Sequence, residues 1–318
     1  MRFEGLCRPK ARDLSVPPDD VLLHLPGRVT AVFDGASDAE MRQVDGVPYG
    51  RAAALAAARA TAALPDEAVD WPAARILSEL SAAVGRCIPA DSPGGPASTT
   101  AILALETGEG IRLVGLGDSG YRLNGGPVEN TDLMPDRASV AARLALFARL
   151  SQSRPRPEAE ALSQRFIGLG LGQALSEGAL DAVTADAIID EAIRAAAIPG
   201  AEDEIVRLLT EGLRSQFRLA NNPDARLGYG ILNGTEPLCA SAVDRLIPRR
   251  DLGTLELFSD GYLSAPGEPT IAAWEAEHAR LEARDPYHLE TPAAVKGSTE
   301  TRVFDDRTVA ILSFGPRT

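Results

Sequence analysis

Four short apolar segments of this 318-residue chain each meet an aspartate at one end. They are VTAVFDG with Asp34, IRLVGLGDSG with Asp118, LELFSDG with Asp260, and DDRTVAIL, which begins at Asp305 and Asp306. A carboxylate at a buried strand end costs free energy unless a cation compensates it. Several such carboxylates from distant parts of one chain are most simply explained by divalent metal, because Mg²⁺ and Mn²⁺ favour oxygen ligands. The pattern therefore predicts a carboxylate-lined metal site.

The composition excludes several classes of partner and site. A formal net charge of -13 opposes binding to nucleic acid or to an anionic membrane surface. The three cysteines show neither CxxC nor Cys/His ligand spacing, which argues against a disulfide scaffold and a structural zinc site. There is no apolar signal-peptide region, and no apolar stretch reaches the roughly 18 residues of a membrane span. These features predict a cytoplasmic protein, and the alanine- and arginine-rich composition suggests a bacterial one.

The order of apolar patterns favours an α+β fold over regular βαβ alternation. Helices are predicted at 50 to 64, at 72 to 86, from Glu202 onward and at 271 to 283. Compact apolar runs between turn signals predict strands clustered into packed sheets. The predicted strands are 29 to 34, 99 to 106, 111 to 123, 227 to 234, 254 to 263 and 307 to 314.

One long helical region separates the two strand-rich parts of the sequence. Residues 136 to 220 are helical in pattern, with interruptions at 153 to 158 and 198 to 203. We therefore predict one domain over 1 to 318 that contains a helical insert at 136 to 220. This insert is expected to act as a flap near the substrate or as a partner-binding subdomain.

Taken in order, five segments resemble the motif series of metal-dependent protein phosphatases of the protein phosphatase 2C type. The segments are PDDVLLHLPGRVTAVFDGASD, PASTTAILALE, LVGLGDSGYRL, LELFSDGYLS and FDDRTVAILSF. The resemblance covers about residues 15 to 135 and 225 to 315. It implies a four-layer α-β-β-α sandwich and a centre of two Mn²⁺ or Mg²⁺ ions, at which water attacks phosphorus directly.

The resemblance also implies roles for individual residues. Asp34 matches the aspartate that bridges both metals, and Gly35 matches the glycine whose carbonyl oxygen binds one of them. Asp260 and Asp305 match the carboxylates of the other metal. Asp19 and Asp20, in PDDVLL, match the acidic pair that holds metal-bound water. Among these residues, Asp20, Asp34 and Asp260 are the predicted catalytic set.

Other matched positions are less regular. Asp118 matches an aspartate that reaches a third, weaker metal, but Ser264 stands where a companion acid is often found. Ser15 occupies the position of the usual phosphate-binding arginine, so Arg12 or Arg8 is a candidate substitute if the loop is longer. A second candidate for phosphate binding is Arg51, at the start of the first predicted helix.

Several polar residues are better explained by local structure than by chemistry. Ser98, Thr99 and Thr100 lack a nucleophile elbow and are expected to serve packing and turn hydrogen bonds. The segment IGLGLGQ at 167 to 173 is predicted to interrupt a helix, because the Lys-Ser/Thr ending of a phosphate loop is missing. Asp306 is expected in a turn or as a support behind the ligands rather than as a metal ligand. Local hydrogen bonding or surface positions are expected for His24, His278 and His288.

The predicted function is hydrolysis of phosphomonoesters by metal-activated water, with phosphoserine or phosphothreonine in a phosphorylated protein as the substrate. Two alternatives stay open. One is a catalytically weak pseudophosphatase that acts as a regulatory binding protein, because Ser15 and Ala36 depart from the family pattern. The other is a phosphatase of small molecules, because a missing arginine changes how phosphate is held.

Overall fold

The computed structural model describes residues 1–38, 40–88, 95–131, 133–290 and 292–315. Within these ranges the strands are β1 Arg2–Arg8, β2 Val21–Leu25, β3 Val29–Gly35, β4 Gln43–Val44, β5 Val47–Pro48, β6 Thr99–Glu106, β7 Gly110–Leu116, β8 Gly120–Leu123, β9 Val128–Glu129, β10 Val243–Pro248, β11 Thr254–Phe258 and β12 Arg307–Ser313. The α-helices are α1 Tyr49–Ala62, α2 Ala73–Cys87, α3 Met134–Leu150, α4 Arg156–Leu169, α5 Leu171–Ser176, α6 Ala182–Ala196, α7 Glu202–Glu211 and α8 Ile271–Arg284. None of the described helices combines the length and the apolar character needed to cross a membrane.

Two antiparallel five-stranded sheets form the framework of the first of two compact units, which comprises Met1–Thr131, Gly230–Leu281 and Asp305–Thr318. One sheet has the order β10-β7-β6-β3-β2, and the other has the order β1-β12-β11-β8-β9. In the first sheet β3 pairs with β6 so that Asp34 lies opposite Thr100. The last residues of β3 are therefore fixed against the first residues of β6.

Alternation along the strands places the sheets between layers of helix. In β3, Ala31 and Phe33 join the core formed with α1 and α2, whereas Val32 joins the core between the two sheets. Successive side chains of a strand point to opposite faces, so one apolar strand supplies both cores. Leu255 and Leu257 of β11 contribute to the same inter-sheet core from the second sheet.

Helix α8 covers the outer face of the second sheet. Trp274 is fully buried in a cluster that includes Phe258 of β11, and its indole nitrogen donates a hydrogen bond to Glu256 at 2.8 Å. Arg122 of β8 holds the same carboxylate through two bonds, at 2.8 and 2.6 Å. With α1 and α2 outside the first sheet, the layer order is α-β-β-α, and the predicted α+β class is confirmed.

The second compact unit comprises Asp132–Tyr229 and Glu282–Phe304. Helices α3 to α7 form its apolar core. Arg143 of α3 and Glu160 of α4 form a buried ion pair. Both residues also bind the segment Glu282–Phe304: Arg143 donates to the Ala294 carbonyl at 2.9 Å, and Glu160 accepts from the Gly297 amide at 2.8 Å. Residues 282 to 304, which the sequence patterns did not associate with the helices, therefore pack within this unit.

Three predicted strands are corrected. The segment 111 to 123 forms two strands, because the chain turns at Gly117 with φ of +93°. The segment 254 to 263 leaves the sheet after Phe258. The segment 227 to 234 is not a strand: its apolar residues are buried in irregular backbone, and only isolated bridges at Tyr229 and Leu232 are formed.

Within the described ranges, six observed strands were not predicted: the two-residue strands β4, β5 and β9, and the longer strands β1, β2 and β10. Of the longer three, β2 and β10 are the outer strands of one sheet and β1 is an outer strand of the other. Outer strands need less apolar surface than central strands, and Arg2–Arg8 is interrupted by charged residues. Each predicted helix lies within two residues of its observed bounds where both ends were predicted.

Candidate functional site

The predicted acidic residues lie at strand ends and loops of the first unit. Asp19 and Asp20 directly precede β2, and Asp34 is the penultimate residue of β3. The remaining carboxylates lie at three further strand ends: Asp118 after β7, Asp260 after β11, and Asp305 with Asp306 before β12. Both sheets therefore contribute acidic side chains.

Two glycines permit close approach between these segments. A Cβ atom on Gly35 would lie 2.5 Å from the Gly50 carbonyl and 2.6 Å from the Asp19 carbonyl oxygen. A Cβ atom on Gly261 would lie 1.8 Å from the Asp306 carbonyl oxygen. A side chain at either position would push the acidic segments apart, which explains why each aspartate of the VFDG and SDG motifs is followed by glycine.

Asp20 carries an orphaned buried oxygen. The residue is 1% exposed, and its Oδ2 atom has no hydrogen-bond partner among the described residues. Burial and the nearby charge of Asp306 raise the pKa of Asp20 well above its usual value, although hydrogen bonds from Ser259 and Thr308 oppose the shift. An ionised, incompletely bonded carboxylate in such a position is destabilising unless a cation joins it.

Asp34 lies at the centre of the acidic residues. Burial raises the pKa of Asp34 well above its usual value, and repulsion from Asp20, Asp118 and Asp305 raises it further. A hydrogen bond with Asp260 acts in the opposite direction. The carboxylates therefore lie close enough to destabilise one another's ionised forms, which is the property expected of a site that attracts cations.

A lysine that the sequence reasoning missed lies on one side of the acidic residues. The Lys10 ammonium donates to Asp19 Oδ2 at 2.8 Å, to Asp306 Oδ2 at 2.9 Å and to the Ser37 hydroxyl at 2.7 Å. Burial alone would lower the pKa of Lys10, but the charges of Asp305, Asp306 and Asp19 outweigh burial and raise it. The available signal was its rarity, since Lys10 and Lys296 are the only lysines in the sequence.

Asp306 links this lysine to the acidic pair. Its Oδ1 atom accepts the Lys10 amide at 2.6 Å, and its Oδ2 atom accepts the Asp19 amide at 3.2 Å. Asp306 is therefore engaged by backbone and lysine donors from a distant part of the chain, which places it beside the acidic pair rather than in a turn.

The oxygen atoms of these carboxylates are suitable ligands for a hard divalent cation such as Mg²⁺ or Mn²⁺. As placed, however, they do not form a complete coordination shell. The orphaned Asp20 oxygen and the mutual repulsion around Asp34 are features that a bound cation would relieve. Yet the described part of the chain contains no group of three or more aspartate, glutamate, histidine or cysteine residues that could hold a metal ion as placed. Side-chain movement or additional water ligands are needed to complete such a site.

The two predicted phosphate-binding arginines differ in position. Arg51, in the first turn of α1, donates to the Pro18 carbonyl at 2.5 Å and to the Asp20 carbonyl at 3.4 Å. It therefore approaches the acidic pair and supports the backbone of that pair. Arg12 is exposed in the loop between β1 and β2. A contact with phosphate stays a prediction for both.

The local roles expected for other polar residues agree with the structure. Thr99 donates to the Asp34 carbonyl at 2.7 Å, and the hydroxyls of Thr100 and Ser119 are 2.7 Å apart. The segment 167 to 173 contains the break between α4 and α5 at Gly170, where φ is +95°. Local bonds are made by His24 with Thr30 and by His288 with Glu282.

Comparison with known proteins gave matches to solved structures only. No protein-family model matches the sequence, and no curated protein sequence matches it significantly. Serine/threonine phosphatase Stp1 from Staphylococcus aureus matches with 11% identity and a TM-score of 0.49, over 99% of this chain and 96% of that chain. Mycobacterium tuberculosis serine/threonine phosphatase PstP/Ppp matches with 15% identity and a TM-score of 0.41, over 99% of both chains. The catalytic domain of PstP in complex with two manganese ions matches with 16% identity and a TM-score of 0.40, over 98% of this chain and 96% of that chain.

These three structures are serine/threonine phosphatases. This is the class of protein that the five sequence motifs resemble. At such identities and TM-scores the likeness carries no functional conclusion, so function has to be inferred from the residues of this chain.

Proposed function

We propose that this protein is a metal-dependent phosphatase of the protein phosphatase 2C type that hydrolyses phosphoserine or phosphothreonine in proteins. The observation that carries the proposal is the meeting of carboxylates from both sheets around Asp34, where burial and mutual repulsion oppose ionisation. Such an arrangement is costly in the absence of a cation and is accounted for if a cation binds. The ordered motif series independently favours the same chemistry.

Two Mn²⁺ or Mg²⁺ ions are the proposed cofactors. The residues that would hold them are the carboxylates of Asp20, Asp34, Asp260 and Asp305, together with the Gly35 carbonyl, and Asp118 is the candidate for a third ion. Asp19, the other member of the predicted acidic pair, accepts a hydrogen bond from Lys10. When bound, such ions lower the pKa of water and offset the charge of a phosphoryl group.

The protein's own groups position the reacting parts. The Asp20 Oδ2 atom has no hydrogen-bond partner in the part of the chain that the structure describes, and it is suited to orient a water molecule or hold its proton. The Thr99 hydroxyl fixes the Asp34 carbonyl, and the contact of Gly35 with Gly50 limits movement of the same turn. Arg51 holds the carbonyls of Pro18 and Asp20, so that the acidic pair keeps its orientation toward β3.

Hydrolysis of a phosphothreonine peptide and of p-nitrophenyl phosphate tests this proposal. The metal-free protein should be inactive on both compounds, and Mn²⁺ should restore turnover whereas Zn²⁺ restores little, because all proposed ligands are oxygens. A higher kcat/KM on the peptide supports a protein substrate. Turnover of small phosphates alone would favour a small-molecule phosphatase, and stoichiometric zinc in the active protein would contradict the proposed metal centre.

The pseudophosphatase alternative is favoured by one specific observation, the absence of a ready metal-binding group among the described residues. Under this alternative the protein binds a phosphoprotein without hydrolysing it. Binding of the phosphothreonine peptide without any Mn²⁺-dependent release of phosphate would support it. Metal-dependent turnover by the wild-type protein, lost in Asp260→Asn, would exclude it.

A further inference from the structure

Lys10 uses its whole ammonium group within the acidic region. An ammonium has three N–H donors, and Nζ has three oxygen acceptors between 2.7 and 2.9 Å: Asp19, Asp306 and Ser37. The lysine side chain is 23% exposed, against 12% for Asp19 and 4% for Asp306. A resident cation thus offsets one of the two negative charges of this pair in a largely buried setting, where charge pairing is stronger than at the surface.

Asp20 and Asp34 do not accept hydrogen bonds from the Lys10 ammonium. Asp20 Oδ2 has no partner among the described residues, and Asp34 is surrounded by further carboxylates. The acidic residues therefore differ in their contact with Lys10. Asp19 and Asp306 accept hydrogen bonds from its ammonium and Asp305 lies close enough to interact with its charge, whereas the Asp20 Oδ2 atom has no hydrogen-bond partner among the described residues.

We propose that Lys10 is a built-in cation that excludes Asp19 and Asp306 from metal coordination and confines divalent metal to the side of Asp20 and Asp34. A metal ion at Asp19 Oδ2 would have to displace the ammonium, which would lose its ion pairs in a partly buried position, and a metal ion at Oδ1 would be repelled by the ammonium charge nearby. Lys10 is thus a positioning residue that sets which carboxylates bind metal and how tightly. This inference deepens the proposed function, on which it rests for the identity of the metal.

Mn²⁺ binding to the metal-free, full-length protein tests this inference. Calorimetry gives affinity and stoichiometry, and paramagnetic resonance counts free Mn²⁺ independently. Asp19→Asn should leave the wild-type affinity within about twofold, whereas Asp20→Asn should weaken it by about tenfold or more, the loss typical of an impaired metal site. Lys10→Gln should strengthen binding by about tenfold or add a further ion, because two carboxylates become available.

The double variant and two controls make the result specific. Asp19→Asn placed in the Lys10→Gln protein should remove the gain in metal binding. Lys10→Arg keeps the positive charge and should bind Mn²⁺ with near wild-type affinity. Lys296→Gln removes the other lysine, which lies in the second unit, and should leave metal binding unchanged.

Two outcomes would overturn the role of Lys10. One is a loss of affinity in Asp19→Asn as large as in Asp20→Asn, and the other is unchanged affinity and stoichiometry in a folded Lys10→Gln protein. If Lys10→Gln does not fold, the comparison of Asp19→Asn with Asp20→Asn decides alone. If the wild-type protein binds no Mn²⁺ and hydrolyses no phosphate ester, the proposed function fails, and uptake of Mn²⁺ by Lys10→Gln alone would still support the inference.

Discussion

At the residue scale, Asp20 and Asp34 are carboxylates whose ionised forms are unfavourable in the metal-free fold. Each has its pKa raised chiefly by burial, and each is raised further by neighbouring carboxylates. The ionised forms therefore weaken the metal-free fold, whereas a bound cation would favour them. Under the proposed function, cation binding rather than stability accounts for such an arrangement.

The metal-free protein should gain stability as pH falls. Because the folded-state pKa values of Asp20 and Asp34 lie above the unfolded value of 3.8, the folded chain binds more protons between the two values. The destabilisation is full above the folded pKa and is relieved as pH falls through it, with a limiting slope of about 1.4 kcal/mol per pH unit for each proton. Urea unfolding from pH 8 to pH 5 measures this slope, and saturating Mn²⁺ should flatten it. Stability that falls steadily over this range would contradict the assignment.

The cysteines should differ in reactivity by a wide margin. Burial raises the pKa of Cys7 to about 12, whereas Cys87 is exposed. Since the thiolate is the reactive form, alkylation of Cys7 by iodoacetamide at pH 8 should be at least about a thousandfold slower than that of Cys87. Peptide mass spectrometry of the folded protein measures both rates. Comparable labelling of the two cysteines would show that Cys7 is not enclosed as described.

Individual site residues could be predicted where they belong to a short, recognisable sequence pattern. Asp34 and Asp260 were visible because each follows an apolar strand and precedes glycine. Lys10 was not recognised because its partners Asp19 and Asp306 are 9 and 296 residues away in the sequence. Contacts at such separations cannot be predicted from a local sequence pattern. The carbonyl contacts of Arg51 were invisible for the same reason.

At the level of elements, apolar alternation predicted the central strands and failed at the outer ones. β3 and β6 supply two cores at once, so their patterns are strong. β1 and β10 are outer strands with charged residues, and their place in the sheets is set by pairing with β12 and β7. Pairing partners are distant in sequence, so such strands cannot be recognised from periodicity alone.

The ion pair of Glu256 should be essential to the second sheet. Glu256→Gln leaves Arg122 as a buried charge without its partner, which should lower the free energy of unfolding by about 3 to 5 kcal/mol. Asp244→Asn is the matched control, because the Asp244 side chain is 47% exposed in its pair with Arg112, and it should cost less than about 1 kcal/mol. Urea unfolding followed by tryptophan fluorescence measures both. Equal losses in the free energy of unfolding for the two variants would show that burial does not make the Arg122–Glu256 pair more important than the exposed one.

At the scale of the whole molecule, the chain forms two compact units, and each has its own core. The helical region was predictable from periodicity over 136 to 220. The addition of residues 282 to 304 was not, because it depends on Arg143 and Glu160 binding backbone groups more than 130 residues away. We propose that this unit acts on the choice of protein substrate, because the proposed metal-binding residues all lie in the other unit.

Destabilising the second unit should leave hydrolysis of a small phosphate ester unchanged. Glu160→Gln removes the partner of buried Arg143, so hydrogen exchange should accelerate in residues 285 to 297. Mn²⁺-dependent turnover of p-nitrophenyl phosphate should stay within about twofold of wild type, whereas turnover of a phosphoprotein should change. Loss of turnover on the small ester in a folded protein would contradict a role confined to substrate choice.

Mn²⁺-dependent hydrolysis of a phosphothreonine peptide by wild type and by Asp34→Asn tests the central claim most directly. Asp244→Asn serves as a control of equal charge change on the exposed face of β10. The metal centre around Asp34 predicts that Asp34→Asn lowers kcat/KM by at least about a hundredfold, or about 2.7 kcal/mol, and weakens Mn²⁺ binding, while Asp244→Asn changes neither. Wild-type turnover and Mn²⁺ affinity in a folded Asp34→Asn protein would contradict the claim.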